Sequence, residues 1–388
     1  MRILHTSDWH LGRSFHRVGM LEHQAAYVDH LLEVVAAEGV DLVVIAGDVY
    51  DRALPHVDAV RLADETLARL AASSARVVLT SGNHDSAQRL GFGARVMDAA
   101  GIHVRTDASS VGTPVLVHDE HGPVAVHGLP YLDPHALHDA WRLPARTHEA
   151  ALAEAMRRVR ADLVARPGRS VVLAHAFVAG GLPSESERDI SVGGVSVVSS
   201  QLFDGISYTA LGHLHGRAIL GETLRYSGSP LAYSFSEAAH TKGSWLVDLG
   251  RECVTATTFV EAPVPRRLST LTGDLETLLH DPRLAASEDH WVQATLTDAV
   301  RPDRPMERLR ERFPHALVLA FSPVGEKAPT VVADAPVGRT DHEVALDFVA
   351  SMRGAPADDE ESALLQRACD GCADDPEADM LLSASGSG

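Results

Sequence analysis

The order of apolar runs in the first hundred residues is the strongest constraint this chain places on its own fold. Arg2-Ile3-Leu4-His5-Thr6, Asp41-Leu42-Val43-Val44-Ile45-Ala46 and Arg76-Val77-Val78-Leu79-Thr80 each have the length and composition of a buried strand. Between them lie stretches of helical period. Leu21, Ala25, Val28, Leu31, Leu32 and Val35 fall on one face, a second pattern covers about 57–72, and a third lies near 86–100. Strand and helix in alternation specify an α/β domain with largely parallel strands, because parallel neighbours need a crossover between them. Short strands with turns follow over 101–127, a helix over about 148–165, a strand over 170–174, and strands near 207–211, 223–227, 244–249 and 253–260.

Ala262-Pro263-Val264-Pro265 marks a boundary after a first domain of residues 1–262. Residues 266–322 read as strand, helix, strand, helix, strand, a small α+β module. Pro323 to Pro336 reads as a linker, and amphipathic segments follow at about 341–353 and 359–369. The end, 371–388, is acidic and expected to be disordered. The formal net charge is −19, of which the last 48 residues carry −10. The remainder is only moderately acidic, and carboxylates that serve a cation stay uncompensated in such a count, so charge does not exclude nucleic acid. No apolar run reaches the roughly 18–20 residues of a membrane span. No secretory h-region is visible. Three cysteines, Cys253, Cys369 and Cys372, are too few for a disulfide scaffold and point to a reducing cytosol. Cys369-x-x-Cys372 is a single pair and a weak zinc signal.

The strand ends carry the chemistry. The first three lead into Ser7-Asp8-Trp9-His10, Gly47-Asp48 and Ser81-Gly82-Asn83-His84-Asp85, and two later ones into Ala174-His175 and Gly212-His213-Leu214-His215. Sites in open α/β sheets form outside the carboxyl ends of strands. With 22 histidines in the chain, any one of them is ordinarily surface or core, as His5, His30 and His127 are read here. A turn would also explain Gly82-Asn83-His84-Asp85 taken alone. Five strand ends all delivering oxygen or imidazole donors is what those readings leave unexplained. Mixed Asp, Asn and His donors suit divalent transition ions, and there are too many for one. Two ions about 3.5–4 Å apart can share a carboxylate and clamp a phosphoryl group.

The series D-x-H, G-D-x-x-D, G-N-H-D, H and G-H-x-H resembles the calcineurin-like metallophosphoesterases. Asp8-Trp9-His10-Leu11-Gly12, Gly47-Asp48-Val49-Tyr50-Asp51, Ser184-Glu185-Ser186-Glu187-Arg188, Val192-Gly193-Gly194, Leu211-Gly212-His213-Leu214-His215 and Arg225-Tyr226-Ser227-Gly228-Ser229-Pro230 resemble the SbcD group within that family. These are nuclease subunits that work with the SMC-like ATPase SbcC. The resemblance is close from residue 1 to about 260 and loose beyond. It implies a sandwich of two mixed β-sheets flanked by helices, with a capping domain at 266–322 that holds DNA and a helical C-terminal tail.

The resemblance further implies that Asp8, His10, Asp48 and His215 hold one divalent ion, and that Asp48, Asn83, His175 and His213 hold the other. Asp48 would bridge. Manganese is the first choice and magnesium the second. His84 would protonate or stabilise the leaving oxygen, Asp85 would orient His84, and Asp51 would be a supporting carboxylate. Arg13, Arg89 and Arg188 are candidates to meet phosphate, against their ordinary reading as surface charges. The implied activities are 3′→5′ exonuclease action on duplex ends and endonuclease action on single strands or hairpins. These would be coupled to ATP use by SbcC in DNA repair, recombination and replication, by a cytoplasmic, nucleoid-associated protein. No P-loop is visible, so ATP dependence must come from the partner. Helices at 21–38 and 57–72 would pair two copies into a homodimer, completing a heterotetramer with SbcC, unless their apolar faces only pack on the sheet. The segment 337–370, with Val344, Leu346, Phe348, Val349, Met352, Leu364 and Leu365, would dock on SbcC. The alternative is a plain acidic end. Two rival functions stay open: a stand-alone phosphodiesterase or phosphatase for small substrates, and an inactive scaffold for an SMC-like partner.

Overall fold

The strand Arg2–Thr6 lies inside a six-stranded sheet. The order across that sheet is Val254–Glu261, Gly243–Leu249, Arg2–Thr6, Leu42–Ala46, Arg76–Thr80 and Ile102–Arg105. The last four run parallel, and Gly243–Leu249 runs against both its neighbours. This is a computed structural model, and it describes residues 1–190, 197–323, 340–353 and 355–373. Several features named above lie outside the described residues: Val192-Gly193-Gly194, the linker beyond Pro323, the start of the 337–370 segment, and the tail from 374. The side chains of Met352 and Cys372 lie outside them too.

A second six-stranded sheet has the order Ala218–Ile219, Leu224–Tyr226, Tyr208–Gly212, Arg169–His175, Gly122–Gly128 and Val115–Asp119. Its four inner strands are parallel and each edge strand is antiparallel to its neighbour. Alternate residues of a strand face opposite sides. Ile3, Leu42, Val44 and Val78 therefore meet Val124, Val171, Leu173 and Ala210 between the sheets. Leu4, Val43, Ile45, Val77 and Leu79 point the other way, onto the helices Leu21–Ala37 and Val57–Ala71. The outer face of the second sheet packs on the helix His148–Ala165. The result is the expected α/β sandwich of two mixed sheets flanked by helices.

Two local readings change. The single helix expected near 86–100 is broken into Ala87–Leu90, Ala94–Met97 and a 3₁₀ turn, Asp98–Ala100, because Gly91 and Gly93 intervene and Gly93 sits at φ +75°. The helix Pro134–Trp141, capped by the Asp133 side chain, was not anticipated. Residues 268–321 form the module: Leu268–Gly273, Leu275–His280, Trp291–Leu296, Pro305–Arg312 and Ala316–Phe321. Its three strands are all parallel, and it has its own core of Leu271, Leu278, Val292, Ala294, Leu309 and Phe313. An aromatic cluster joins Trp291 to Phe15, Met20, Leu231, Tyr233 and Phe235, with the Phe15 and Trp291 rings stacked at 5.1 Å.

The chain divides into two units, Met1–Ser322 and Pro323–Gly388. The described part of the second consists of the helices Asp341–Arg353 and Asp359–Ala373. They are linked by Arg353 to Glu361 at 2.6 Å and by His342 to the Ser362 carbonyl at 3.0 Å. Val344, Phe348 and Leu364 are exposed on them. Among the described residues no helix is long and apolar enough to cross a membrane.

Candidate metal centre

The parallel strands of both sheets end at one edge, and backbone meets backbone there. A Cβ on Gly212 would lie 1.8 Å from the Ala46 carbonyl oxygen, and one on Gly82 would lie 2.1 Å from Asp48 Oδ1. One on Gly47, at φ +83°, would lie 2.3 Å from His175 Nδ1. Only glycine permits that approach. It gathers Asp8, His10, Asp48, Asn83, His84, His175, His213 and His215 around one point, and all but Asn83 are buried. Asp8, His10, Asp48 and His213 sit at φ +54°, +46°, +46° and +104°. Non-glycine residues held in that region cost about 1–3 kcal/mol each and gather at functional sites.

Hydrogen bonds fix which ring nitrogens face inward. His215 Nδ1 lies 2.5 Å from Ser186 Oγ, and Ser186 donates its own proton to Glu237. His215 Nδ1 is therefore the N–H, and its Nε2 is an acceptor 3.0 Å from His10 Nε2. His175 Nδ1–H donates to the Ala46 carbonyl at 3.0 Å. His175 Nε2 faces Asn83 Oδ1 at 2.8 Å and Asp48 Oδ2 at 3.4 Å. Asn83 Oδ1 is also 3.2 Å from His213 Nδ1, and Asp48 Oδ2 is 3.6 Å from His10 Nε2. One carboxylate oxygen thus faces the imidazoles of both sides.

So many inward lone pairs call for positive charge. Burial pushes the Asp8 carboxyl up to about 6, against the pull of His175. Burial acts the same way on Asp48, but the neighbouring His175 outweighs it and holds Asp48 well below the usual carboxylate range. Burial would lower His175, yet Asp48 raises it to about 9. A proton on His175 is one source of the charge this convergence demands, and a divalent cation is another. Among the described residues, three sets bring one donor atom each within 4.8 Å of one another: Asp8, His10 and His215; His10, Asp48 and His84; and Asp8, Asp48 and His175. Oxygen and imidazole donors without thiolate fit a first-row divalent ion such as Mn²⁺.

The sequence profile of the calcineurin-like phosphoesterases matches residues 1–217. The SbcD subunit of the nuclease SbcCD from Staphylococcus saprophyticus is 31% identical over 322 residues, 82% of this chain and 84% of that protein. This chain is a calcineurin-like phosphoesterase of the SbcD group. A second profile, described as the type 5 capsule protein repressor C-terminal domain, matches residues 264–345 of the phosphoesterase. Among solved structures, TT1561 of Thermus thermophilus is 14% identical with a TM-score of 0.41, covering 67% of this chain and 98% of that one. GAP50 of Plasmodium, described as the anchor in the inner membrane complex, is 11% identical with a TM-score of 0.42, covering 84% of this chain and 98% of that one. Phosphoesterases of this family use divalent metals.

The supporting residues of this phosphoesterase differ from expectation at one point. Asp85 does not orient His84; its carboxylate accepts the backbone N–H groups of Val49, Tyr50 and Gly82, tying the loop after Ala46 to the turn at Gly82. His84 Nδ1 instead donates to the Asp51 carbonyl at 2.8 Å, and the Asp51 carboxylate lies 3.6 Å from His10 Nδ1. Burial lowers His84 to about 4, so it is neutral at pH 7. Arg13 is engaged by the Ser186 carbonyl at 2.7 Å and by Asp51 at 3.6 Å. Arg89 bonds the Ala53 carbonyl, and Arg188 bonds the Asn83 carbonyl at 3.3 Å. Trp9 packs behind the centre: its indole donates to Thr6 Oγ1 and its carbonyl accepts from Tyr233. The sequence reading missed Gln24, which accepts from Gly12 N–H and donates to the His10 carbonyl at 2.8 Å. A polar residue on the apolar face of that helix was the available signal. It also missed Tyr233, Glu237 and Lys242, which nothing local marks.

Proposed function

We propose that this chain is a DNA nuclease subunit that hydrolyses phosphodiesters with two divalent ions, Mn²⁺ first and Mg²⁺ second. The observation that carries the reading is Asp48 Oδ2, which faces His10 on one side and His175 on the other. It occurs in a chain related over most of its length to a protein named as the SbcD subunit of the nuclease SbcCD. Asp8, His10, Asp48 and His215 would hold one ion, and Asp48, Asn83, His175 and His213 the other. Bound there, the pair would supply Lewis-acid activation of water and phosphate.

The chain's own residues do the rest. His84, with Nδ1–H committed to the Asp51 carbonyl, presents Nε2 as the atom that exchanges a proton with the leaving oxygen. Its neutral state at pH 7 makes it an acceptor until the charge of a phosphodiester raises its affinity for a proton. Arg188, exposed and bonded to the Asn83 carbonyl, is the arginine placed to meet phosphate. Arg13 Nη2 is committed to the Ser186 carbonyl, and Arg13 is better read as a support for the loop at 184–188.

In this reading the substrates are duplex ends, attacked 3′→5′, and single strands or hairpins, cut internally. The partner is SbcC, bound through the helices at 341–373 by Val344, Phe348 and Leu364, and the module at 268–321 helps hold DNA. The exposed Val57 and Val60 on the helix Val57–Ala71 suit pairing with a second copy, giving a heterotetramer with SbcC. The test compares Mn²⁺-dependent cleavage of linear duplex DNA with that of bis(p-nitrophenyl) phosphate, with and without SbcC. Efficient turnover of the small diester alone would favour a stand-alone phosphodiesterase. Absence of any metal-dependent cleavage would favour a scaffold.

A further inference from the structure

The stretch Ser184-Glu185-Ser186-Glu187, just ahead of Arg188, has no place in the chemistry just described, yet it holds His215 on two sides. Glu187 accepts the His215 backbone N–H at 2.7 Å and both the N–H and hydroxyl of Ser184. Ser186 Oγ lies 2.5 Å from His215 Nδ1. The third side is Lys242, whose ammonium donates to the His215 carbonyl at 2.8 Å and to Ser229 Oγ at 3.0 Å. Glu237 closes the circuit, accepting from both Ser186 and Lys242. Ser186, His215, Glu237 and Lys242 are all buried, Glu237 to 1% exposure.

A buried lysine–glutamate pair is a poor way to gain stability. Desolvating two charges costs several kcal/mol, and apolar side chains of the same volume do as well or better. Such a pair must therefore be explained by what it orients. A hydroxyl beside an imidazole can donate or accept, and the choice sets the tautomer. Were Ser186 to donate to His215 Nδ1, the proton of His215 would sit on Nε2 and block the atom that faces His10. The hydroxyl accepts instead, because its proton is committed to Glu237. Glu237 is in turn held in place as acceptor by the Lys242 ammonium.

We propose that Ser186 is a positioning residue that acts through His215, and that Glu237 and Lys242 set its direction. The hydroxyl holds His215 as the Nδ1–H tautomer with Nε2 free for an ion. The proposal rests on the reading that His215 is a metal ligand.

The test uses the full chain. Free Mn²⁺ is followed by electron paramagnetic resonance during titration, and His215 is followed by long-range ¹H–¹⁵N spectra of the metal-free protein, assigned with His215→Ala. Ser186→Ala should weaken one ion about 10–100-fold and leave the other unchanged. It should also move His215 away from the pure Nδ1–H tautomer. Ser186→Thr should restore both. Glu237→Gln offers an amide N–H toward Ser186 and frees the hydroxyl to donate, so the same tautomer change is expected without altering the loop. Wild-type Mn²⁺ binding and an unchanged tautomer in Ser186→Ala and Glu237→Gln, while His215→Ala loses one ion, would overturn the proposal alone. Two ions retained by His215→Ala would overturn the ligand reading, and the proposal with it.

Discussion

His175 and His215 face the same centre from opposite sides, but different materials hold them. His175 is oriented by the Ala46 carbonyl, an atom every residue at position 46 would supply, at the end of a strand fixed by the sheet. His215 is oriented by side chains from Ser186, Glu187, Glu237 and Lys242, spread over more than fifty residues of sequence. The first side is specified by topology and is hard to alter without unfolding. The second is specified by chemistry and can be altered by single substitutions. Both sides lean on Asp48.

The largest expected effect follows from that sharing. Asp48→Ala should lose both ions and at least about 10⁴-fold in cleavage, since charge stabilisation and orientation vanish together; metal analysis showing one ion retained would break the picture of a shared oxygen. His84→Ala should keep both ions and lose about 10²–10⁴-fold in kcat. If its metal content falls instead, His84 belongs among the ligands. Gly47→Ala should strike the topological side: its Cβ has no room beside His175 Nδ1, and its φ is positive. A loss of about 2–4 kcal/mol in urea unfolding is expected, with the His175-side ion weakened first.

A smaller effect is expected from His5, which is buried against Tyr208 Oη at 2.9 Å and the Leu211 carbonyl at 3.1 Å. Burial lowers it to about 3. Between that value and about 6.5 the unfolded chain binds a proton that the folded chain refuses, so stability falls as the pH drops through this window. Its share is about 2 kcal/mol between pH 7.5 and pH 5, and His5→Gln should flatten that part of the pH profile. The smallest effect is none at all. Deleting 337–388 should leave Mn²⁺-dependent cleavage unchanged while co-purification with SbcC is lost.

The contrast between the two sides also explains what could be read in advance. Every expected donor lies directly after an apolar strand, so the strand periodicity that predicts the sheets also predicts the cluster. Glycine stands at 47, 82 and 212 in these strand ends, and the structure gives each a neighbour within 2.3 Å of its missing Cβ. Asp85 was misjudged because its three backbone partners depend on how the loop turns, which residue type does not reveal. The positive φ values at Asp8, His10, Asp48 and His213 depend on how neighbouring loops bond one another, such as His10 N–H to the Asp48 carbonyl, and have no local signal. Ser186, Glu237 and Lys242 were invisible as a group because burying them is a tertiary event. The break at Gly91 and Gly93, by contrast, was legible and overlooked.

Phe15 stands a few residues after His10, and its ring is stacked on Trp291, which begins the middle strand of the 268–321 module. Phe235, two residues before Glu237, touches the same ring. The module is therefore moored, through one aromatic joint, to both the segment that follows the Asp8–His10 loop and the segment that carries Glu237, so the two halves of the centre share a single point of attachment to it.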